Sequence, residues 1–235
     1  MIFLHIPKTA GWTIARHLRD DEKIMDDGFG FAHEITIRDV PENYEDIVFS
    51  VVRCPFDRVW SLYNFYGQMR KDAVYGHKPI PDNYSFEDFV SSLKEWSTNE
   101  DHEYYMLEYK PCYHWFVPRV FEETEYGWVS NNLHLLRYEN IQESYNTFRK
   151  TIGLEPFTLK KRNVNPRKKK EAPKYTDKMV NDINSVFSSD IKNFDYTYES
   201  FLQREVRNIF HEEDFQKTLS TEVRDYWIKT LKGVS

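Results

Sequence analysis

The sequence predicts an α/β fold in which a central, mainly parallel sheet is flanked by helices. Two apolar runs, at residues 1–6 and 47–52, lack the polar alternation of a half-exposed strand. Such runs are typical of strands that are buried on both faces of a parallel sheet. A segment with the apolar spacing of a helix follows each run, and this alternation implies a layered α/β domain with right-handed crossovers.

The first elements can be assigned in order along the chain. The first strand is predicted at residues 1–6 and the first helix at 11–19, with a short strand near 23–26. After the strand at 47–52, Pro55 begins a helix, because a helix does not need the missing N–H of proline in its first turn.

Side-chain caps predict two further helix starts. Ser85 with Asp88 resembles a capping box ahead of an amphipathic segment. Asn140 with Glu143 can cap another helix, which follows a predicted strand at 133–136.

The last core helix begins at Thr176 and keeps helical apolar spacing as far as Phe194. Residues 70–84 and 110–130 are predicted to be irregular, and residues 196–235 to form one or two amphipathic helices.

The turn after the first strand has the composition of an anion site. The first amides of a helix lack backbone partners and lie at the positive end of the helix dipole. Lys8 adds a full charge, Thr9 and Thr13 add hydroxyls, and Gly11 lets the backbone approach a ligand. Lys8 and Arg53 both follow strands, and ligands of such sheets lie beyond the carboxyl ends of the strands. We therefore expect one phosphate or sulfate site that both residues share.

Composition limits the class of protein. A chain of 235 residues with 40% hydrophobic residues can bury a core, and a net charge of -6 argues against general nucleic-acid binding. Two cysteines give no disulfide framework and no metal set, which favours a reducing compartment. No window approaches the ~20 apolar residues that span a bilayer. We expect a cytoplasmic protein without a membrane segment, a nucleic-acid partner or a metal.

Two alternatives compete for the anion site. A kinase-like phosphotransferase would carry G-x-x-x-x-G-K-[ST], whereas here Lys8 precedes Gly11, and Arg53 stands where such enzymes place a magnesium-binding Asp. A non-enzymatic polyanion-binding module could use the basic run at residues 160–170, which carries seven positive charges.

Two motifs together resemble the sulfotransferases that use 3′-phosphoadenosine 5′-phosphosulfate (PAPS), particularly the branch of carbohydrate O-sulfotransferases. They are HIPKTAG at residues 5–11 and VRCPFDRVWSLY at residues 52–63. LLRYENI at 135–141 is also similar, as are NVNPR at 163–167 and YTD at 175–177. The resemblance covers roughly residues 1–66 and 133–195. It implies a three-layer P-loop-like fold, with a sulfotransferase domain over 1–195 and a helical extension over 196–235 packed on it.

The resemblance also implies roles for individual residues. Lys8 would contact the bridging oxygen of PAPS, and Arg53 and Ser61 would hold the 3′-phosphate. The turn and first helix would hold the 5′-phosphate through Thr9, Ala10, Gly11, Trp12 and Thr13. Trp12 replaces the commoner Thr of the family, and Cys54 replaces its commoner Asp or Asn. In the basic run, we expect Arg167 or Lys168 to close over the 3′-phosphate.

The expected reaction moves a sulfuryl group from PAPS to an acceptor hydroxyl on a carbohydrate and leaves PAP, the desulfonated donor. Such a transfer resembles phosphoryl transfer, in which charge builds on the leaving oxygen and catalysis rests on positioning and electrostatics. The acceptor hydroxyl needs a base. By resemblance the base is His33, which lies before the second main strand, and Glu34 is the alternative.

Overall fold

The computed structural model describes residues 1–20, 36–41, 43–69, 84–98, 110–117, 119–159 and 174–210. The chain forms two compact units. The first unit comprises Met1–Cys54 and Asn99–Pro166, and the second comprises Pro55–Thr98 and Arg167–Ser235.

In its described residues, the first unit holds a sheet of five strands. The strands are β1 (Ile2–Leu4), β2 (Val48–Val52), β3 (Glu122–Thr124), β4 (Gly127–Ser130) and β5 (Leu133–Arg137). Their spatial order is β1-β2-β5-β4-β3. The unit also contains α1 (Gly11–Asp20), α4 (Ile141–Thr151) and short 3-10 helices at Ile37–Asp39 and Cys112–Phe116.

The sheet is mixed. β1, β2 and β5 run parallel, with Leu4 beside Ser50 and Ser50 beside Leu135. β4 and β3 are antiparallel to their neighbours. The α/β fold is therefore confirmed, whereas among the described strands parallel pairing is limited to β1, β2 and β5. Every residue of β2 is buried, as expected for a strand covered on both faces.

Helices α1 and α4 cover one face of this sheet. Ile14 and Leu18 of α1 share a buried cluster with Phe49 and Val51 of β2. Tyr145 and Phe148 of α4 and Leu136 of β5 complete its centre, with Tyr126 beside them. Full burial of each large apolar side chain contributes about 1.5–3 kcal/mol, so this cluster holds α1 and α4 against the sheet.

The secondary structure described in the second unit is helical. It comprises α2 (Pro55–Met69), α3 (Phe86–Thr98), α5 (Asp177–Val186), α6 (Ser188–Phe194) and α7 (Tyr198–Phe210). Aromatic side chains pack together in this unit: the ring centroid of Phe56 lies 5.6 Å from that of Tyr175 and 5.8 Å from that of Phe201. The Tyr175 hydroxyl donates a hydrogen bond of 2.7 Å to the Phe56 carbonyl.

One of the two predicted side-chain caps forms, and a further cap forms at Thr176, which was predicted as a helix start. Ser85 and Asp88 make a reciprocal capping box, in which each side chain accepts a bond from the other's backbone N–H. The Thr176 hydroxyl accepts from the Met179 amide. Asn140 makes no side-chain cap bond; its Oδ1 accepts a bond of 3.2 Å from the Ser144 hydroxyl, whose proton is shared with the Tyr126 carbonyl.

Two other expectations were wrong. The helix predicted from Thr176 to Phe194 breaks at Phe187 into α5 and α6, although its apolar spacing continues across the break. The segment 110–130, predicted to be irregular, contains a 3-10 helix and the β3–β4 hairpin. The predicted strand near 23–26 and residues 211–235 lie outside the described residues. None of the helices in the described ranges combines the length and apolarity needed to cross a bilayer.

Candidate functional site

The loop between β1 and α1 has a strained backbone. Lys8 and Ala10 have φ angles of 66° and 68°, in the left-handed region, and Thr9 between them does not. Each non-glycine residue in that region costs about 1–2 kcal/mol. Backbone of alternating hand turns successive N–H groups toward one side and forms an anion-binding concavity. Strain of this kind is concentrated at functional sites, which supports the predicted anion site.

The loop is closed by its own hydrogen bonds. The hydroxyl of Thr9, which is fully buried, donates to the Ile6 carbonyl over 2.8 Å. Its one proton is therefore used within the loop, so only the amide of Thr9 can donate to an anion. The amides of Thr13 and Ile14 donate to the Ala10 carbonyl and begin α1. The amides before them lie in the first turn, where no intrahelical carbonyl is in reach.

Gly11 is required by a contact inside the protein. A Cβ atom at this position would lie 1.6 Å from the Cδ2 and Nε2 atoms of His5. The His5 ring is buried and stacks on Phe3, with ring centroids 5.8 Å apart. The sequence suggested that Gly11 admits a ligand. The structure shows a further role for Gly11, because its missing Cβ also leaves room for the imidazole at the start of α1.

Arg53 contacts the Lys8 loop directly. Its Nη1 donates to the Lys8 carbonyl over 3.0 Å, although the two residues are 45 positions apart. The guanidinium lies 4.0 Å from the centre of the Tyr138 ring. The side chain is 7% exposed, and its buried Nε has no hydrogen-bond partner in the described part of the chain. The structure thus brings Lys8 and Arg53 together, as the strand-end argument predicted.

The ends of β2 and β5 are fastened to each other beside this contact. The Tyr138 amide donates to the Val52 carbonyl over 2.9 Å. The Cys54 amide donates to Oε1 of Glu139 over 2.8 Å. Both bonds fix the backbone on either side of Arg53. Tyr138 was not chosen from the sequence, yet it follows β5 just as Lys8 and Arg53 follow β1 and β2, so the same rule could have found it.

The other predicted site residues divide into two groups. Thr13 is half-buried in the first turn of α1, where Trp12 contributes its backbone. Ser61 is half-buried on α2 in the second unit. The remaining predicted residues lie outside the described residues: His33, Glu34, Arg167 and Lys168, with the rest of the basic run at 160–170.

Two histidines of the first unit have shifted pKa values. Burial lowers the pKa of His114, with smaller effects from Lys110 and Arg38. Burial also lowers the pKa of His134, whose Nδ1 lies 2.7 Å from the Tyr126 hydroxyl. Within the described ranges, no three His, Cys, Asp or Glu side chains are grouped so that they could hold a metal ion.

The described site therefore combines a strained loop that carries a lysine, the first turn of a helix and a buried guanidinium. All three features attract anions. In comparisons of the chain with protein-family models, with curated proteins and with solved structures, no match was found.

Proposed function

We propose that this protein transfers a sulfuryl group from PAPS to an acceptor hydroxyl, with a carbohydrate as the acceptor class. The observation that carries the proposal is the hydrogen bond between Arg53 and the Lys8 carbonyl. It supports a single site with a cation at the end of each of two neighbouring parallel strands, β1 and β2. In this proposal β1, β2 and β5 form the core of a three-layer P-loop-like fold.

The described residues fit a donor with two separate anionic groups. The amides of the loop and of the first turn of α1 would hold the 5′-phosphosulfate, with Lys8 beside them. The second anionic group, the 3′-phosphate, would be held by Arg53. The buried Nε of Arg53 supports this assignment, because a buried N–H without a partner is costly and an anion would satisfy it. Ser61, Arg167 and Lys168 are the further groups proposed for the 3′-phosphate.

In the proposed step, the acceptor oxygen attacks sulfur in line with the leaving phosphate oxygen. A new S–O bond forms to the acceptor while the bond between sulfur and the bridging oxygen breaks. The bonding electron pair stays on the 5′-phosphate of PAP, where Lys8 and the helix amides stabilise the growing charge. The acceptor proton passes to His33, or to Glu34 as the alternative base.

Thermal stability with added ligands tests the donor. PAP should raise the melting temperature in the presence of a chelator, because a ligand that binds only the folded state stabilises it. A kinase-like phosphotransferase would instead respond to ATP with magnesium and not to PAP. Stabilisation by heparin alone, lost when Lys168, Lys169 and Lys170 are neutralised, would support the polyanion-binding alternative.

Transfer of labelled sulfate from PAPS tests the reaction. A panel of glycans and phenols should show incorporation into at least one glycan. His33→Ala should abolish incorporation while PAP still stabilises the variant. Loss of transfer in Glu34→Gln but not in His33→Ala would assign the base to Glu34. A wild-type protein that binds PAP but labels only phenols would contradict the carbohydrate acceptor.

A further inference from the structure

Arg53 is a buried cation with an unusual set of partners. Among the described residues it has no carboxylate partner: it contacts the Lys8 carbonyl through Nη1 and the Tyr138 ring through its face. Its Nε is buried and makes no hydrogen bond within the described residues. A buried guanidinium normally requires an ion pair or full hydrogen bonding. The Tyr138 ring therefore provides an unusually large part of the environment of this charge.

Tyr138 is held in place both through its backbone and through its side chain. Its backbone amide donates to the Val52 carbonyl, which continues the pairing of β5 with β2 beyond the last strand residue. Its side chain packs against the buried cluster of α1, α4 and the sheet. The ring is thus a fixed surface, and it belongs to the strand beside the one that carries Arg53.

A fixed ring restricts how the guanidinium can rotate. The guanidinium is planar, and the ring 4.0 Å away favours one orientation of that plane through a cation–π contact. Within this plane, the bond from Nη1 to the Lys8 carbonyl sets the remaining rotation. The N–H groups of Nε and Nη2 then both point away from the Lys8 carbonyl. Together they form a fork of two donors, which can bind two oxygens of one phosphate group.

We infer that Tyr138 is a positioning residue that acts through Arg53. Its ring holds the guanidinium so that one side braces the strained Lys8 loop and the other side is ready for an anionic group. In naming the 3′-phosphate as that group, the inference rests on the proposed function. The brace on the loop does not depend on any ligand.

The ligand arm compares PAP with AMP, which lacks only the 3′-phosphate. Tyr138→Leu removes the ring and should reduce the preference for PAP over AMP, measured as the ratio of Kd values, by about tenfold. Tyr138→Phe keeps the ring and removes only the hydroxyl, so it should restore most of the preference. Equal preferences in the Leu variant and the wild type would overturn the inference.

Trp128→Leu is the matched control. Arg137 lies over the Trp128 ring at 4.0 Å, so this variant removes a cation–π contact of the same length from the same sheet without touching Arg53. It should lower stability and leave the ratio of Kd values unchanged. If it reduces the ratio as much as Tyr138→Leu does, the effect of Tyr138 is general loss of packing, and the inference is wrong.

The ligand-free arm uses hydrogen exchange at the Thr13 and Ile14 amides, which donate to the Ala10 carbonyl at the end of the loop. Tyr138→Leu should speed their exchange by about tenfold, because it removes the same cation–π contact as in the ligand arm. In an Arg53→Ala background the change should have a clearly smaller effect, because only the packing of the ring against the buried cluster is then left to lose. Additive effects would overturn the inference. If the wild type binds no PAP, the proposed function fails, and this arm still decides the role of Tyr138.

Discussion

The Nη1 atom of Arg53 donates a hydrogen bond to the backbone carbonyl of Lys8 over 3.0 Å. This bond joins the residue after β2 to the loop after β1. It also stabilises a loop in which Lys8 and Ala10 both adopt left-handed φ angles. The Arg53 side chain, which is proposed to bind a ligand, thus also stabilises the loop. Substitutions in the loop should separate ligand binding from stability.

Lys8→Gly and Lys8→Ala should differ in stability and agree in activity. Glycine adopts the φ angle of 66° without steric cost, whereas alanine retains the strain. The glycine variant should therefore unfold with a free energy about 1 kcal/mol higher than that of the alanine variant. Under the proposed function, both variants should lose orders of magnitude in turnover and keep measurable PAP affinity. Unchanged turnover in either variant would remove the Lys8 ammonium from the mechanism.

Exchanging glycine and alanine at the start of α1 should have opposite effects at adjacent positions. Gly11→Ala places a Cβ 1.6 Å from the His5 ring, so it should lower the free energy of unfolding by several kcal/mol, measured by denaturant titration. Ala10→Gly relieves a left-handed φ and should leave stability equal or higher. A Gly11→Ala variant as stable as the wild type would show that His5 does not fill this space.

Arg53→Ala should weaken PAP binding much more than the binding of adenosine 5′-phosphosulfate, which lacks the 3′-phosphate. Arg53→Lys keeps the charge but loses the planar fork, so it should recover only part of the lost PAP affinity. Calorimetric titration of both ligands against both variants measures the difference. The same loss for the two ligands would contradict a contact between Arg53 and the 3′-phosphate.

The two capping patterns should respond differently to alanine. Ser85→Ala removes a hydroxyl that accepts from the Asp88 amide and should lower the free energy of unfolding by about 1 kcal/mol. Asn140→Ala should cost less, since the Asn140 side chain makes no cap bond to α4. Thermal unfolding of both variants is the measurement. A larger loss in Asn140→Ala would mean that its bond to Ser144 matters more than a cap does.

Stability should fall in mild acid because of His134. Burial lowers the pKa of this imidazole below its ordinary value of 6.5, so the unfolded chain binds the proton first as the pH falls. The stability that His134 contributes is complete above its ordinary pKa of 6.5, and it is lost as the pH falls through the lower pKa of the folded state. Protonation of Nδ1 would also prevent it from accepting from the Tyr126 hydroxyl.

His134→Gln should therefore reduce the loss of unfolding free energy between about pH 7.5 and about pH 5.5. A residual slope is expected, because the pKa of His114 is lowered as well. Denaturant titrations at the two pH values check this. An unchanged slope in the variant would assign the acid sensitivity to other groups.

Much of this fold could be predicted because its signals are local. The buried run before Arg53, Pro55 at a helix start and the Ser85 box each depend on neighbouring residues, and all three appear in the structure. The strand-end rule also placed Lys8 and Arg53 together, because it depends on topology and not on individual contacts.

The remainder depends on contacts between distant residues. Edge strand β3 has an acidic, exposed sequence without apolar alternation, so nothing local distinguishes it from a loop. Asn131, between β4 and β5, has a left-handed φ in the structure. Because Asn tolerates positive φ in short turns, this residue could have indicated the hairpin from the sequence. The space that Gly11 leaves for His5, and the Tyr138 ring beneath Arg53, became visible only with the side chains in place.

The short edge strand β3 also bears on how the protein behaves at high concentration. It ends one side of the described sheet, and its exposed Glu122 would repel the same strand of another molecule. Three residues offer too little backbone for a stable added strand. This edge is thereby protected against strand-to-strand aggregation.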